Sequence, residues 1–410
     1  MIFVFPTTRG KVFLLAAAGA VGVALVNVNL TTCLAAACVT SILFSSFILS
    51  LFSLRKLDLK RGPARDGALG DGISLPVTII NKGGNNRQAI VIREKCPFAE
   101  KSALNVPVGP LAKGECRLIN RKVCAARRGF YNLNRITLVG GDPAGLFCRR
   151  KHFDLPGEIM IYPDSVKLSY MPIKLKRQIQ SSVLGRPIGV SGIGQEFFGV
   201  REYRPSDGVR FIHWKSSAKH NLLMVREFEA NAPTKVSIVL DVEAKFVGDD
   251  EFNNNFEYLI KTASSMVNYL AGMYCQILFV TGYGKDDIWI SHGEAFSEKD
   301  RIMNTLAMIE PKKTPLEGLL KAGMDYFQPN SILYCMSMSE PESLNKSFDL
   351  LIDNGVDVRW IYAPKKYFPK YLDMRVPDVS EDKHKFTERF GLAPYIARRN
   401  LSISRMLTYG

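Results

Sequence analysis

The run KVSIVLD at residues 235–241 decides the architecture of the larger part of this chain. Val236, Ile238, Val239 and Leu240 lack the strict polar alternation of a half-exposed strand, which is the pattern of a strand buried on both faces. An amphipathic helix is expected over 252–274. Strands are expected at QILFVT (276–281) and IWIS (288–291), helices at 297–309 and 315–327, then strand SILYCM (331–336), a helix at 341–354 and strand VDVRWIY (356–362). Strands interleaved with helices over 235–364 imply a mainly parallel α/β sheet covered on both faces. In such sheets ligands bind at the carboxyl ends of the strands, where Asp241 stands.

Immediately upstream, in a junction expected over 166–234, residues 185–230 carry the densest mixture of charge and aromatic side chains: Glu196, Arg201, Glu202, Tyr203, Asp207, Arg210, Trp214, Lys215, Arg226 and Glu227, with Phe197, Phe198 and Phe228 among them. Guanidinium groups pair with carboxylates and stack on rings, so this composition suits a partly buried network at a domain junction or docking surface. Arg201, Glu202, Asp207 and Arg210 are expected to pair with one another, because a buried charge without a partner is costly. A short helix over 208–215 would bring Arg210 and Trp214 onto one face.

The order Gly192-x-Gly194-x-Glu196-Phe197, Arg201-Glu202-Tyr203, Asp207, Arg210, Trp214-Lys215, Ser217-Ala218 and Met224-Val225-Arg226-Glu227 resembles the signature of the bacterial "domain of unknown function 58" family. It departs from the family at Ser206, where glycine is usual, and at Lys219-His220. Arg128-Gly129-Phe130-Tyr131 and Asp142-Pro143-Ala144-Gly145-Leu146-Phe147 resemble the same family's "RRG-x-Y" and "DP-x-GL" motifs. The resemblance implies a membrane-anchored protein whose α/β domain is similar to von Willebrand factor A-type, Rossmann-like domains. It also implies work with MoxR-type AAA+ ATPases and other von Willebrand A-type proteins, in assembly or maturation of membrane or envelope complexes. In that fold a D-x-S-x-S motif holds a divalent metal; here it reads Asp241-Val242-Glu243-Ala244-Lys245. Only Asp241, Glu243 and Thr314 remain as oxygen donors, and hard cations need more, so a degenerate, metal-free site is expected, with Glu243 as a substitute ligand the alternative. No cofactor site is indicated.

Toward the N-terminus no charged residue occurs between Lys11 and Arg55, and the run divides near residues 27–32 into two apolar halves of about the ~20 residues that cross a bilayer. Residues 1–55 read as a transmembrane helical hairpin, because backbone amides in lipid must be satisfied within each helix. Basic flanks on both sides and an uncharged loop put both termini in the cytoplasm, and the family resemblance implies that the membrane is the bacterial inner membrane. A cleaved signal peptide followed by one anchor is the competing reading.

Between the hairpin and the junction, residues 56–69 read as a basic linker able to meet anionic headgroups. Residues 70–165 read as a β-sandwich of short strands and turn residues. Residues 365–410 read as a basic tail in which 384–390 start an amphipathic helix lying on the membrane or on the parent domain. The chain of 410 residues carries a formal charge of +15, favouring an acidic partner. The β region is the most basic but shows no nucleic-acid motif, so the lipid bilayer rather than nucleic acid is the expected one. The eight cysteines lack the spacing of a disulfide framework or a zinc site.

No metalloprotease, P-loop or nucleophile-elbow pattern occurs, and the chain reads as an interaction scaffold or adaptor, not an enzyme. The competing reading is a membrane-bound hydrolase or transferase using Glu196, Asp207 and His213.

Overall fold

The computed structural model of the chain describes residues 4–27, 29–173, 197–203, 212–228, 234–273, 275–284, 287–340, 344–370, 379–390 and 392–409. The chain divides into two compact units, residues 1–164 with 303–309, and residues 165–302 with 310–410.

The first unit opens with a short strand, β1 (Val4–Pro6), and two helices, α1 (Thr8–Val26) and α2 (Leu30–Phe52). Both helices are long and apolar enough to cross a membrane. Thr7 caps α1, accepting a hydrogen bond from Gly10 N at 3.0 Å, so the first helix starts four residues before the apolar run and includes Arg9 and Lys11. The same hydroxyl donates to Gly145 O at 2.6 Å. Gly10 lies so close to the chain there that a Cβ would stand 2.0 Å from Leu146 O. Asp142 shapes this turn: it is buried, and its carboxylate accepts from Phe147 N at 2.7 Å and Leu146 N at 3.3 Å. Phe147 then meets Phe47 of α2 edge to face at 5.6 Å. The Asp142–Phe147 motif is thus the latch that holds the helical hairpin to the β structure.

That β structure contains β2 (Leu57–Arg61), β3 (Gly67–Ala68), β4 (Gly72–Asn81), β5 (Ile90–Lys95), β6 (Ala103–Val108), β7 (Cys116–Cys124), β8 (Gly129–Asn132), β9 (Arg135–Gly141), β10 (Phe147–Asp154) and β11 (Glu158–Tyr162). They form three small sheets, in the orders β1-β10-β9-β5-β6, β2-β4-β7 and β3-β11-β8. Strand β4 shows why: Ile73, Leu75, Val77 and Ile79 alternate inward with period two and are buried. One core cluster joins Leu57, Leu59, Val77, Ile79, Ile90, Ile92, Ile136 and Leu138; a second joins Ile73, Leu75, Phe98, Ile159 and Ile161.

The expectation of a linker over 56–69 is corrected here. Residues 57–61 pair antiparallel with β4, with Leu57 and Leu59 in the core. Their Leu-x-Leu alternation is a strand signal that the neighbouring charges obscured. Arg61 turns inward to Glu94 at 2.6 Å, which removes it from any surface role.

The second unit begins with an antiparallel hairpin of β12 (Phe197–Glu202) and β13 (Met224–Phe228) enclosing α3 (Trp214–His220). It continues with β14 (Thr234–Leu240), α4 (Asn255–Ala271), β15 (Cys275–Thr281), β16 (Trp289–Glu294), α5 (Ala295–Met308, whose residues from 303 on are counted with the first unit), α6 (Leu316–Gly323), β17 (Ile332–Ser337), α7 (Leu344–Asp353), β18 (Asp357–Tyr362), α8 (Val379–Phe390), β19 (Tyr395–Ile396) and α9 (Ile403–Tyr409). The sheet order is β16-β15-β14-β17-β18-β19. All neighbours are parallel except the edge strand β16.

The basic tail expected over 365–410 is also corrected. Its β19 extends the sheet beyond β18, and Phe386 of α8 is buried against Trp360 and Tyr362, with ring centroids at 5.1 and 5.3 Å. Ile403, Met406 and Leu407 of α9 are buried, and Tyr258 of α4 donates to Leu401 O at 2.9 Å. Covering an exposed sheet edge is a sufficient reason for the segment to fold back.

Candidate functional site

Two neighbourhoods of the second unit hold the residues singled out from sequence. The first is the β12–β13 hairpin. Its register sets Arg201 opposite Val225, Glu202 opposite Met224, Val200 opposite Arg226 and Gly199 opposite Glu227, with a bulge between Phe197 and Gly199. Tyr203 N donates to Leu223 O at 2.7 Å and His213 N to Met224 O at 2.8 Å, so the start of α3 lies beside the end of the hairpin. Arg201 donates to the neighbouring Glu202 carbonyl at 3.0 Å. Glu196, Asp207 and Arg210 lie outside the described residues, as does the expected helix start at 208–211, and α3 begins only at Trp214.

Ser217 ties this corner together. Its Oγ accepts from Met224 N at 2.9 Å and donates to His213 O at 3.1 Å. His213 is the cap of α3: its Nδ1 lies 2.7 Å from Ser216 Oγ and 3.3 Å from Ser216 N. Asn221 closes the helix with φ at 53°, a left-handed conformation that asparagine tolerates. Around this frame Trp214, Leu222 and Leu223 are exposed, at 67%, 55% and 47%. Lys215, Lys219 and His220 are exposed beside them. The sequence reading singled out Trp214 and Lys215 but missed Leu222 and Leu223, whose exposure depends on where the turn after Asn221 sends them.

The second neighbourhood is the carboxyl edge of β14. Asp241 is fully buried; its carboxylate accepts from Glu243 N and Met338 N, each at 2.9 Å. Burial pushes its pKa up to about 6 against the opposing effect of those two amides. Beside it the chain at 312 pairs with residues 242–244: Ala244 N donates to Lys312 O and Lys312 N to Val242 O, each at 2.6 Å. Lys312 Nζ then reaches Asp287 Oδ1 at 2.8 Å and Gly284 O at 2.7 Å, clasping the loops after β14 and β15. Thr314 Oγ1 donates to Asp287 O at 3.4 Å, and Lys245 sits on the Phe246 ring at 5.4 Å. Asp241, Glu243 and Thr314 therefore share one edge of the sheet, with Asp241 committed to backbone donors. Among the described residues no group of three or more His, Cys, Asp or Glu is arranged to hold a metal ion. Lys312 and Asp287 escaped the sequence reading because they are distant in the chain and meet only through the strand order.

Residues 199–314 match the sequence model of the family described as "Protein of unknown function DUF58". The uncharacterized protein YeaD of Bacillus subtilis (strain 168) is 25% identical over 141 residues, 34% of this chain and 33% of YeaD, so the chain spans about a third of that relative's length. Among solved structures, the CARDB domain of PF1109 from Pyrococcus furiosus is 15% identical with a TM-score of 0.18, covering 26% of this chain and 94% of that one. The Pseudomonas fluorescens alkylpurine DNA glycosylase AlkC, bound to DNA containing an abasic site analogue, is 15% identical with a TM-score of 0.17, covering 30% and 38%. Scores this low carry no argument about the present chain. The matched region runs from the β12–β13 hairpin through the Asp241 edge to Thr314, and over these residues the chain is similar to the DUF58 family.

Proposed function

We propose that this protein is a membrane-anchored interaction scaffold or adaptor whose α3 corner recruits a protein partner. The observation that carries the reading is the exposure of Trp214, Leu222 and Leu223 within one short α3 corner that also exposes Lys215, Lys219 and His220. Large apolar side chains grouped on a surface, with Trp among them, are the usual composition of an interface anchor, and the cations favour an acidic partner. The family resemblance adds the kind of partner, a MoxR-type AAA+ ATPase and other von Willebrand A-type proteins. The parallel strand order with Asp241 at the end of β14 supports a von Willebrand A-like reading of the domain.

The anchor in this proposal is the α1–α2 hairpin in the bacterial inner membrane, with both termini cytoplasmic. Its support is the length and apolar composition of the two helices, together with Arg9 and Lys11 before the first and Arg55 and Lys56 after the second. The hydrolase or transferase reading has less support: of its residues, Glu196 and Asp207 lie outside the described part, and His213 caps its own helix. Pull-down of the AAA+ ATPase by the full chain in mild detergent tests the proposal. Retention by wild type and loss in Leu223→Asp supports it; equal retention by both contradicts it.

A further inference from the structure

We propose that the cleft between α1 and α2 is a binding site for an anionic phospholipid, with its phosphate at Lys11 and one acyl chain along the cleft. This rests on the membrane-anchored reading above. The cleft has a volume of about 660 Å³ and is lined by Leu14, Ala18, Val21 and Leu25 of α1 and by Phe44 and Phe47 of α2. The cleft is shallow and open along its length. Small residues on one helix and rings on the other leave a slot instead of a sealed helix pair. At Gly22, which also lines it, a Cβ would meet nothing within 4 Å.

The charge at its foot selects the ligand. Lys11, Leu14, Ala18, Val21 and Leu25 follow one another at three- and four-residue steps, so they occupy one face of α1 with the ammonium at the base of the apolar stripe. Lys11 is exposed and makes no ion pair among the described residues. Arg9, Arg55, Lys56 and Arg150 are exposed as well, and each belongs to the same end of the hairpin, where α1 begins, α2 ends and β1 pairs with β10. Arg150 lies over the Phe5 ring at 5.5 Å and Arg55 over the Phe52 ring at 5.8 Å, the pairing of cation and aromatic found at headgroup depth. The acid in the adjoining turn, Asp142, is buried and engaged by backbone amides, so it does not offset this charge at the surface.

Length selects the same ligand over a partner helix. From Leu14 to Leu25 the helix rises about 16 Å, half of the ~30 Å hydrocarbon core. An acyl chain of one leaflet fills that length with its phosphate at Lys11. A partner helix crossing the whole core would instead bring Lys11 into an apolar contact and leave its charge uncompensated.

The test reconstitutes the full chain in nanodiscs of phosphatidylcholine mixed with phosphatidylglycerol, extracts it with mild detergent and counts retained lipid by native mass spectrometry. Wild type should retain phosphatidylglycerol in preference to phosphatidylcholine. Lys11→Gln should lower that preference about fivefold, the effect of one juxtamembrane cation at ~1 kcal/mol. Ala18→Phe, which fills the cleft, should abolish retention of both lipids, whereas Lys60→Gln, exposed on β2, should change nothing. Carbonate extraction of native membranes separates the two ideas. Release of the wild-type chain overturns the anchor and this inference with it. An integral chain with no lipid preference, or with equal preference in Lys11→Gln, overturns the lipid site and leaves the anchor standing.

Discussion

Glu94 Oε2 lies 2.6 Å from Arg121 Nη1, with both side chains buried in the β structure, and Glu94 Oε1 lies 2.6 Å from Arg61 Nη2. One carboxylate thus compensates two guanidinium groups. The Arg121 contact is a charge contact more than a directed hydrogen bond, since neither atom finds hydrogen-bond geometry there; Arg121 Nε donates instead to Leu75 O at 3.1 Å. Removing the shared anion should therefore cost more than removing either cation. Glu94→Ala should destabilise the chain by roughly 3–5 kcal/mol, the usual cost of leaving buried charge uncompensated. Chemical denaturation in detergent, compared with Arg61→Ala, checks the order.

Cys96, next to this triad, has its thiol pushed up to about 11, chiefly by burial and then by Glu94. Alkylating reagents at neutral pH should therefore spare Cys96 in the folded chain and modify it in Glu94→Ala, where the fold around it loosens. Mass spectrometry of labelled peptides reads the difference.

Gly10→Ala tests the latch. A methyl group 2.0 Å from Leu146 O cannot be accommodated without moving the hairpin or the Asp142–Phe147 turn. A loss of about 1–3 kcal/mol is expected for such overpacking, with proteolysis appearing near residues 143–146. Unchanged melting and cleavage would show that the hairpin is not held there.

Asp241 should make stability depend on pH. Its folded pKa, about 6, lies above the ordinary 3.8, so the folded state holds a proton that the unfolded state has already released. Its contribution is present in full below about pH 4 and is lost as pH rises to about 6, by up to ~3 kcal/mol. Asp241→Asn should flatten the profile in that window. Denaturation midpoints at several pH values in the same detergent would reveal a sloping Asn profile if the account is wrong.

Ser217→Ala removes the acceptor for Met224 N and a donor to His213 O. Leaving one amide unsatisfied costs about 1–3 kcal/mol. The expected signature is local: faster amide exchange at residues 213–225 with little change in overall melting.

The larger sheet was legible because strands buried on both faces are near-continuous apolar runs, as in residues 236–240 and 332–336. The two apolar helices were legible for a different reason, that no charge occurs between Lys11, in the first turn of α1, and Arg55, beyond the end of α2. Residues 57–61 were not, because Asp58, Lys60 and Arg61 outweighed Leu57 and Leu59 in composition while the alternation that matters is only five residues long. In the C-terminal segment a helix at 384–390 was legible and forms part of α8, which packs on the parent sheet, whereas β19 and α9 were not, because β19 contributes two paired residues and α9 is only seven residues long. Basic composition misled as well: Arg121 is in the core, Arg117 is paired with Glu115 at 2.5 Å and Arg135 with Asp154 at 3.1 Å. Lys312 joins Asp287 at the Asp241 edge through topology alone, which no spacing in the sequence encodes.

Site-specific photo-crosslinking from position 214 of the full chain in native membranes tests the central proposal most directly. A crosslinking side chain in place of Trp214 should capture a AAA+ ATPase, identified by mass spectrometry, and Leu223→Asp in the same chain should abolish the product. The same crosslinker at Phe296, exposed on another part of the unit, should not give it. Equal products from positions 214 and 296, or no ATPase from either, would contradict a recruiting surface at the α3 corner.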